Sequence, residues 1–415
     1  MPCTNRRAAL DTRDSNPETW AFVFHSAPPV PDSPLRIGVV APYDLSRAGG
    51  VATHVRAQAR ALRQMGHDVR VYGPASAPLD AGEIALCGAF TVRFDGTESG
   101  IGLDPRAAWR VARLLAADAF DLLHVHEPLV PVMPWLVLRQ ARVPVVATFH
   151  VHRETGHRWY SAARPWLRAL MRRVHCRIAV SEPARRTVAN HFPGAYRIVP
   201  NGIDIAAFQA VRPRPAVFSP DRHSVLCVGR LESRKGVDHL IRAMAHVQHA
   251  RPDTRLVIVG DGPERRSLVD LARSLSVDAA FAGRVSDAEL PGYTQSADVI
   301  CAPALGGESF GVVLLEAMAC GKPIVASRIE AYEMLVRAAD CGTLVPPGDA
   351  AALAEAILKL LADRALRESL GARGARAARQ YNWSSIARVL DGIYRDSLTV
   401  QFSKRCDIDA VESAG

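Results

Sequence analysis

Short apolar runs alternate with helix-like stretches along most of the chain. The first run is Leu35–Ala41 (LRIGVVA), a helical pattern follows at about 51–65, and similar runs recur at 68–72, 121–126, 143–148 and 176–180. A continuous apolar run of this length is typical of a strand buried on both faces of a parallel sheet. Because such strands alternate with helices, the pattern predicts βαβ units.

The alternation is interrupted once and then resumes. Residues 211–224 contain three prolines and few apolar positions, which predicts an interdomain connection. Strand patterns resume at 224–228 and recur at 255–259, 298–302, 323–326 and 343–345. Since 415 residues exceed one ordinary domain, we predict two similar α/β domains that face a cleft.

These breaks give the predicted domain organisation. Residues 1–34 are rich in Pro, Ser, Asp and Arg without a sustained period, and we expect a disordered extension there. The first domain is predicted over 35–210, the linker over 211–224 and the second domain over 225–380. A last helix, about Ser384–Thr399 within 381–400, is expected to pack back on the first domain. The tail is predicted over 401–415.

Composition narrows the class of protein. The formal net charge of +9 favours acidic ligands such as phosphates or a phospholipid surface. We expect no nucleic-acid partner, because the sequence lacks a recognised nucleic-acid motif. The eight scattered cysteines show no metal-type spacing and fit reduced thiols in a cytoplasmic protein. No apolar run approaches the roughly 20 residues that span a bilayer.

Two glycine-rich turns each connect a predicted strand to a predicted helix. One is Ala48-Gly49-Gly50-Val51, and the other is the segment GGESFG at 306–311. Helix N-termini offer free N–H groups and a positive dipole end, so the amides near Phe310, Gly311 and Val312 are candidates to bind a diphosphate. A tight turn without a ligand is the alternative for either loop.

Acidic and basic side chains accompany these turns. Glu308 and Glu316 are eight positions apart, about two helical turns, so both can face one side. Ionised carboxylates accept hydrogen bonds from sugar and ribose hydroxyls. Arg230 and Lys235 follow the strand at 224–228 and can stabilise a departing diphosphate without a metal. A capping or solvent-facing role remains the alternative for the glutamates, and a solvated basic turn for the cations.

His150 ends the run PVVATFH at the edge where α/β sheets bind ligands. A histidine at the end of a strand can equally be structural. At this edge, however, it points towards the predicted cleft.

Several ordered motifs resemble one enzyme family. GRLESRKG, VGDGPE and GGESFGVVLLEAMACGKPIVAS resemble the C-terminal domain of glycosyltransferase family 4, and RIGVVAPYDLSRAGGVATHV, LLHVHEP, VATFH and VPNGID resemble its N-terminal half. The resemblance covers about residues 35–400. It implies the GT-B fold of two Rossmann-like domains and sugar transfer with retention of configuration. Within the family, APYD, HVHEP, TFH and APALGGESFGVVL are similar to phosphatidylinositol mannosyltransferases.

The resemblance implies roles for the matching positions. Glu308 would contact hydroxyls of the donor sugar, and Glu316 the ribose. Arg230, Arg234 and Lys235 would hold the diphosphate, with no metal and no other cofactor required.

The remaining positions surround the same ligand. Gly50 would let the first domain approach the diphosphate, His150 would lie near the transferred sugar and Tyr43 would line the cleft. Val285, Ser286 and Asp287 would border the nucleobase. The predicted catalytic set is His150, Glu308, Arg230 and Lys235, and the donor-binding set further includes Ser309, Phe310, Gly311 and Val312.

The acceptor half departs from the pattern of phosphatidylinositol mannosyltransferases. Ala52 stands where a glutamine is expected, Phe94-Asp95 replaces a Tyr-Asn pair and Gly100 replaces an arginine. Loss of that arginine removes a charged phosphate contact of about 1.5–3 kcal/mol. Leu290 replaces a lysine near the base pocket. These differences leave both the donor base and the acceptor open.

One basic stretch fits a membrane surface. Residues 151–186 contain nine arginines and two acidic residues, a local net charge of 9 − 2 = +7. Within 158–177, apolar residues recur at helical spacing with arginines along another side, which suits an anionic lipid surface. An ordinary surface helix that packs its stripe on the first domain is the alternative.

The expected function is mannose transfer from GDP-mannose to a lipid or glycoconjugate hydroxyl, with a phosphatidylinositol-type acceptor among the possibilities. The enzyme would be cytoplasmic or peripheral on the inner face of the cell membrane. The alternatives are a UDP-sugar-dependent family 4 enzyme and a sugar phosphorylase with the GT-B fold.

Overall fold

The computed structural model describes residues 33–47, 49–94, 97–104, 106–153 and 158–412. Residues 1–32 of the predicted extension over 1–34 therefore lie outside the described residues. Residues 413–415 of the predicted tail also lie outside them.

The first domain contains a seven-stranded parallel sheet in the order β3-β2-β1-β6-β7-β8-β9 and a separate antiparallel hairpin, β4-β5. Its strands are β1 (Arg36–Val40), β2 (Asp68–Ala75), β3 (Glu83–Gly88), β4 (Phe90–Phe94), β5 (Thr97–Ile101), β6 (Leu122–His126), β7 (Val145–Phe149), β8 (Cys176–Ala179) and β9 (Arg197–Ile198). Its helices are α1 (Gly50–Gln64), α2 (Ala107–Ala117), α3 (Met133–Gln140), α4 (Arg158–Ala162), α5 (Arg164–Met171), α6 (Glu182–Ala189) and α7 (Ile205–Gln209).

The second domain contains a six-stranded parallel sheet in the order β12-β11-β10-β13-β14-β15. Its strands are β10 (His223–Val228), β11 (Thr254–Val259), β12 (Ala279–Gly283), β13 (Val299–Ala302), β14 (Ile324–Ser327) and β15 (Gly342–Val345). Its helices are α8 (Val237–Ala250), α9 (Arg265–Ser274), α10 (Leu290–Ser296), α11 (Val312–Ala319), α12 (Glu330–Ala339), α13 (Ala350–Ala362) and α14 (Arg364–Ala378), and short 3₁₀ turns lie at Ser233–Lys235 and Arg379–Tyr381. The predicted fold class, two parallel α/β domains, is confirmed.

Burial on both faces explains the continuous apolar strands. In β1, Ile37 and Val39 pack in one cluster with α1, whereas Val40 packs with Leu123 and Val125 on the opposite face of the sheet. All of these side chains are fully or almost fully buried. Because both faces of the sheet are buried, the strand sequence does not alternate between apolar and polar residues as that of a half-exposed strand does.

The last helix, α15 (Trp383–Glu412), returns to the first domain. Ile386, Leu390 and Tyr394 pack in the cluster that contains Ile37 and Val55. The helix begins close to the expected position but does not end near Thr399. It continues through most of the predicted tail, as far as Glu412.

Both sheets have a topological switch point, where strand order reverses. It lies between β1 and β6 in the first sheet and between β10 and β13 in the second. Ligands of open α/β sheets bind outside the carboxyl ends of the strands at such points. The turns after β1, β6, β10 and β13 are therefore the elements that can build a site.

Several elements were not predicted. These are β3, the hairpin β4-β5, the two-residue β9, and β12 with the sequence AAFAG. Alanine and glycine have low strand propensity, so β12 depends on pairing with β11 rather than on its own sequence. Strand β10 begins at His223, inside the predicted linker.

Candidate active site

Glu308 is the centre of an ion-pair network in the second domain. Its Oε1 lies 2.8 Å from Nζ of Lys235 and 2.5 Å from a guanidinium nitrogen of Arg234. The turn after β13 positions Glu308, and the 3₁₀ turn after β10 positions both cations. Burial alone would raise the pKa of Glu308, but the charges of Lys235 and Arg234 outweigh it and hold the pKa below its usual value. Glu308 is therefore an ionised acceptor at neutral pH.

Arg230 joins this network through a carboxylate that was not predicted. Glu232 is buried, and its two oxygens lie 2.9 Å from Nε of Arg230 and 3.1 Å from Nε of Arg234. The network then holds three cations and two carboxylates, a net charge of 3 − 2 = +1. An anion placed beside it is attracted by the surplus charge and by cations that are already oriented.

Helix N-termini from both domains lie at the switch points. The N-cap residues of α1 and α11 are both glycines, Gly49 and Gly311, and neither start has a side-chain cap. Gly311 has φ of 99°, and a Cβ there would lie 2.8 Å from the ring of Tyr332. At Gly50 a Cβ would meet no protein atom within 4 Å. The uncapped amides and the open space at Gly50 suit a bound diphosphate.

A further carboxylate, Glu316, lies along α11. Burial raises the pKa of Glu316 to about 8, and the negative charge of Asp287 adds to the shift. Asp287, predicted to border the nucleobase, lies in the turn after β12. Val285 packs against the core of the second domain.

Three predicted donor-binding side chains have other contacts. The Ser286 hydroxyl and Glu289 form a capping box at the start of α10, with the hydroxyl donating to Oε2 of Glu289 at 2.7 Å. Phe310 is buried in the core, so only its backbone faces the site. Ser309 hydrogen-bonds to the first domain, where the amide of His152 donates to its Oγ at 3.1 Å. Val312 is 40% exposed at the start of α11.

His150 belongs to a cluster of four histidines in the first domain. Nε2 of His150 lies 2.8 Å from Nδ1 of His126, whose ring stacks on His124 with centroids 4.4 Å apart. His54 on α1 contacts His150 edge-on, with centroids 4.7 Å apart. Burial is the main cause that lowers the pKa of all four, to about 4 for His54 and about 3 for His124. His150 is thus neutral and can exchange hydrogen bonds with a sugar but supplies no positive charge.

Three histidines of the same cluster lie close enough together to ligate a metal ion. One ring nitrogen each from His54, His126 and His150 lies within 4.8 Å of the others. The hydrogen bond between His126 and His150 already uses one such pair of nitrogens. That the donor site needs no metal stays a prediction.

Glu127 positions the loop that follows His150. Its Oε1 accepts hydrogen bonds from the amides of His150 and Val151, the latter at 2.9 Å. Burial raises the pKa of Glu127 to about 7, although both amides oppose the shift. Burial also raises the pKa of Tyr43, and the charge of Glu127 adds to this. Tyr43 follows β1 and pairs with Ile101 at the end of β5.

A cavity of about 390 Å³ lies between the two domains, beside Glu308. The first domain contributes His152, Arg153, Arg186, Thr187 and Asn190, and the second contributes Gly307, Glu308, Ile329, Glu330 and Ala331. Its size is within the range of small-ligand pockets. It adjoins the predicted sugar-binding carboxylate rather than the predicted diphosphate groups.

Sequence reasoning missed Glu127, Glu232 and His54. Glu127 follows β6 in the motif HVHEP, at a switch point, and that position was the available signal. Glu232 lies between two predicted cations, where a buried counter-charge is expected. His54 had no signal beyond its place in the first turns of α1.

Two family models match the chain. The model described as Glycosyltransferase Family 4 matches residues 48–207, and the model described as Glycosyl transferases group 1 matches residues 212–377. A phosphatidyl-myo-inositol mannosyltransferase of Mycobacterium leprae is 38% identical, across 88% of this chain and 98% of the relative. The enzyme of that name from Mycolicibacterium smegmatis is 37% identical, across 92% and 99%.

Solved structures share the fold. Sucrose-phosphate synthase of Thermosynechococcus elongatus aligns with a TM-score of 0.67 and 24% identity, across 88% of this chain and all of that one (100%). Anabaena HepE, solved with UDP and glucose, aligns with a TM-score of 0.70 and 20% identity, across 87% and 100%. The chain belongs to glycosyltransferase family 4 and is a hexosyltransferase with the GT-B fold.

Proposed function

We propose that this protein is a retaining mannosyltransferase that moves mannose from GDP-mannose to a hydroxyl of a phosphatidylinositol-type lipid. The observation that carries the proposal is the network in which Glu308 contacts Lys235 and Arg234 beside the uncapped start of α11. The network places a carboxylate, which can accept hydrogen bonds from sugar hydroxyls, next to cations, which can bind a diphosphate. A nucleotide diphosphate sugar requires both. Relatives named phosphatidyl-myo-inositol mannosyltransferase, 37–38% identical over almost their full length, support the sugar and the acceptor.

The transfer step follows from this placement. The acceptor oxygen attacks the anomeric carbon as the bond from that carbon to the diphosphate oxygen breaks. The acceptor proton passes to the leaving diphosphate on the same face, which gives retention. Arg230, Lys235 and the amides at the start of α11 stabilise the charge on the leaving group, so we propose that no metal takes part. Neutral His150 orients the sugar through hydrogen bonds.

Asp287 favours guanine over uracil as the donor base. A carboxylate accepts two parallel hydrogen bonds, which fits the ring N–H and exocyclic amine of guanine. Uracil presents one ring N–H between two carbonyls, which would face the carboxylate unfavourably. Leu290, which replaces a lysine of the resemblance, packs against the core of the second domain.

A donor screen by thermal shift tests this choice. GDP-mannose should raise the melting temperature more than UDP-glucose or UDP-N-acetylglucosamine at equal concentration, because bound ligand stabilises in proportion to ln(1 + [L]/Kd). The Asp287→Asn variant should lose most of the GDP-mannose shift. A larger shift with a UDP-sugar would support the alternative donor, and phosphate-dependent breakdown of a disaccharide would support a phosphorylase.

The acceptor subsite differs locally from the resemblance. Ala52 lies on α1 and is buried in a core cluster of the first domain. A Cβ at Gly100 would lie 2.7 Å from Cβ of Asp44. An arginine at position 100 would therefore require Asp44 to move. Phe94 and Asp95 fall where side chains are not described. The lipid class of the acceptor is thus supported by the relatives, while its contacts differ in this chain.

We also propose that the enzyme binds an anionic membrane surface through α5. Leu167, Leu170 and Met171 are buried in the core, so packing accounts for the apolar stripe. The outer face presents exposed Arg168 and Arg172 together with Trp166, which is 41% exposed and contacts Trp135. No helix that the structure describes is both long and apolar enough to cross a bilayer. Free cysteines in the described chain fit a reducing compartment, which supports the cytoplasmic face.

Liposome flotation at low salt tests the membrane proposal. The wild-type protein should float with vesicles that contain phosphatidylinositol, and R168E/R172E should not. The matched control is R266E/K359E, which changes the net charge equally at exposed positions of the second domain. Equal flotation of both variants would refute a role for α5.

A further inference from the structure

Ser309 connects the two domains beside the predicted sugar-binding carboxylate. The amide of His152 donates to Oγ of Ser309 at 3.1 Å, and the Ser181 hydroxyl donates to its backbone carbonyl. His152 follows β7 and Ser181 follows β8 in the first domain, whereas Ser309 follows β13 in the second. One residue thus receives two hydrogen bonds from the opposite domain, one on its side chain and one on its backbone.

The first-domain partners of Ser309 are themselves fixed. Oγ of Ser181 also accepts from the amide of Ala184 at 3.2 Å and so caps α6. Thr187 on α6 lies 3.1 Å from the His152 ring, and its hydroxyl donates to the carbonyl of Pro183 at 3.0 Å. The partners therefore form a preorganised surface rather than two independent loops.

Two of the three segments in this contact contain a predicted catalytic residue. Glu308 immediately precedes Ser309, and His150 is two positions before His152. When the contact forms, the backbone from Glu308 to Ser309 and the backbone from His150 to His152 set the distance between Glu308 and the histidine cluster. A second interdomain contact, the ion pair of Arg186 with Glu330, lies on the wall of the adjoining cavity.

We propose that Ser309 is a positioning residue that couples domain closure to the placement of Glu308 opposite His150. This inference rests on the proposed function, since it assigns Glu308 to the donor sugar. The contact forms when the domains close on the donor and is broken when they part. Ser309 acts through Glu308 and the closure equilibrium and does not contact the sugar.

The test combines scattering with kinetics. We compare wild type with Ser309→Ala, Ser309→Thr and a matched control, Ser274→Ala, whose hydroxyl bonds only within α9. Small-angle X-ray scattering with saturating GDP-mannose measures contraction of the particle. Ser309→Ala should contract less than wild type and lose about 2- to 10-fold in kcat, as expected for one hydrogen bond. KM for the donor should change less than kcat, and Ser309→Thr should restore both readouts.

A second pair of variants separates the contact from local folding. Ser181→Ala removes the other hydrogen bond and the α6 cap, whereas Ser181→Thr keeps a hydroxyl for both. Ser181→Ala should reduce contraction, and Ser181→Thr should restore it. Full contraction and unchanged kcat in Ser309→Ala would overturn the proposal. A lower kcat with full contraction would also overturn it, because Ser309 would then act on the sugar directly.

The scattering result stands apart from the proposed function. If GDP-mannose fails to stabilise the protein, contraction is measured with UDP-glucose instead. Absence of mannose transfer by wild type would contradict the proposed function, while loss of contraction in Ser309→Ala would still support the closure contact.

Discussion

Glu127 holds the backbone that follows β7, at the edge where the reaction is proposed to occur. It has φ of 43°, an uncommon conformation for a residue other than glycine. Its Oε1 nevertheless accepts from two consecutive amides that directly follow β7. Strained backbone that is held by specific hydrogen bonds is typical of functional sites.

Replacement of Glu127 tests this role with a matched pair. In Glu127→Ala the buried amide of His150 and the partly buried amide of Val151 lose their acceptor, at about 1–3 kcal/mol for a buried group left unsatisfied. In Glu127→Gln the amide oxygen can accept both hydrogen bonds, and the lost charge matters less because the pKa of Glu127 is already about 7. Chemical denaturation and turnover should both show a much larger loss for alanine than for glutamine. Equal losses would indicate that charge, rather than the two hydrogen bonds, is what the site requires.

Glu316 gives a pH dependence with a definite sign. Its pKa in the folded protein is about 8, above the ordinary value of 4.5, mainly because it is buried. The folded state therefore binds the proton more tightly than the unfolded state, and this contribution to stability declines as pH rises from 4.5 to about 8. Between about pH 5 and pH 8, the free energy of unfolding of wild type should fall relative to Glu316→Gln, by at most about 1.4 kcal/mol per pH unit, and the difference should level off above pH 8. Parallel pH profiles would show that Glu316 ionises normally.

Sequence spacing predicted some residues of the site and missed others for a physical reason. Glu308 and Lys235 follow strands at a switch point, and the structure brings them into contact. Ser286 and Phe310 lie in the predicted region, but one hydroxyl caps a helix and one ring enters the core. Position along a strand or turn predicts which backbone reaches the cleft. It does not predict which side chain is used by local capping or packing.

At the scale of elements, α15 connects the two domains at one crossing. The amide of Trp383 donates to the carbonyl of Ile203 at 3.2 Å, and the amide of Ile203 donates to the carbonyl of Tyr381 at 2.8 Å. The Trp383 ring contacts His54 with centroids 4.9 Å apart, so this crossing also borders the histidine cluster. A Cβ at Gly202 would lie 2.5 Å from the indole, so the close approach requires glycine.

A double-mutant cycle tests this close approach. Gly202→Ala should destabilise the protein by about 1–3 kcal/mol through overpacking. Trp383→Phe removes part of the ring that the new methyl group would meet. The double variant should therefore lose less free energy of unfolding than the sum of the two single variants. Additive losses would show that the two residues do not compete for the same space.

The limits of prediction at this scale lie in pairing between strands. The interior strands are continuous apolar runs, and their predicted bounds differ from the observed ones by only a few residues. The hairpin β4-β5 and strand β12 have weak patterns of their own and depend on pairing with a neighbouring strand. Helix α15 was predicted too short, because its pattern weakens after Thr399.

At the scale of the whole molecule, the strand order of both sheets determines where the site can lie. Each sheet reverses at its first strand, which places the turns after β1 and β6 at one switch point and those after β10 and β13 at the other. The alternation of strands and helices predicts this architecture. Of the positions that the resemblance assigns to the acceptor, Phe94 and Gly100 lie in the β4-β5 hairpin, and residues 95 and 96 between its strands are not described.

The most direct test of the account is the product of a single reaction. Wild-type protein is incubated with GDP-mannose and vesicles that contain phosphatidylinositol, and the lipid product is analysed by mass spectrometry and by NMR of the anomeric proton. The account predicts one added hexose in α linkage, formed about 10- to 100-fold more slowly by Glu308→Gln, which loses a charged hydrogen bond to the sugar. A β-linked product, transfer from UDP-glucose in preference to GDP-mannose, or undiminished turnover by Glu308→Gln would contradict it.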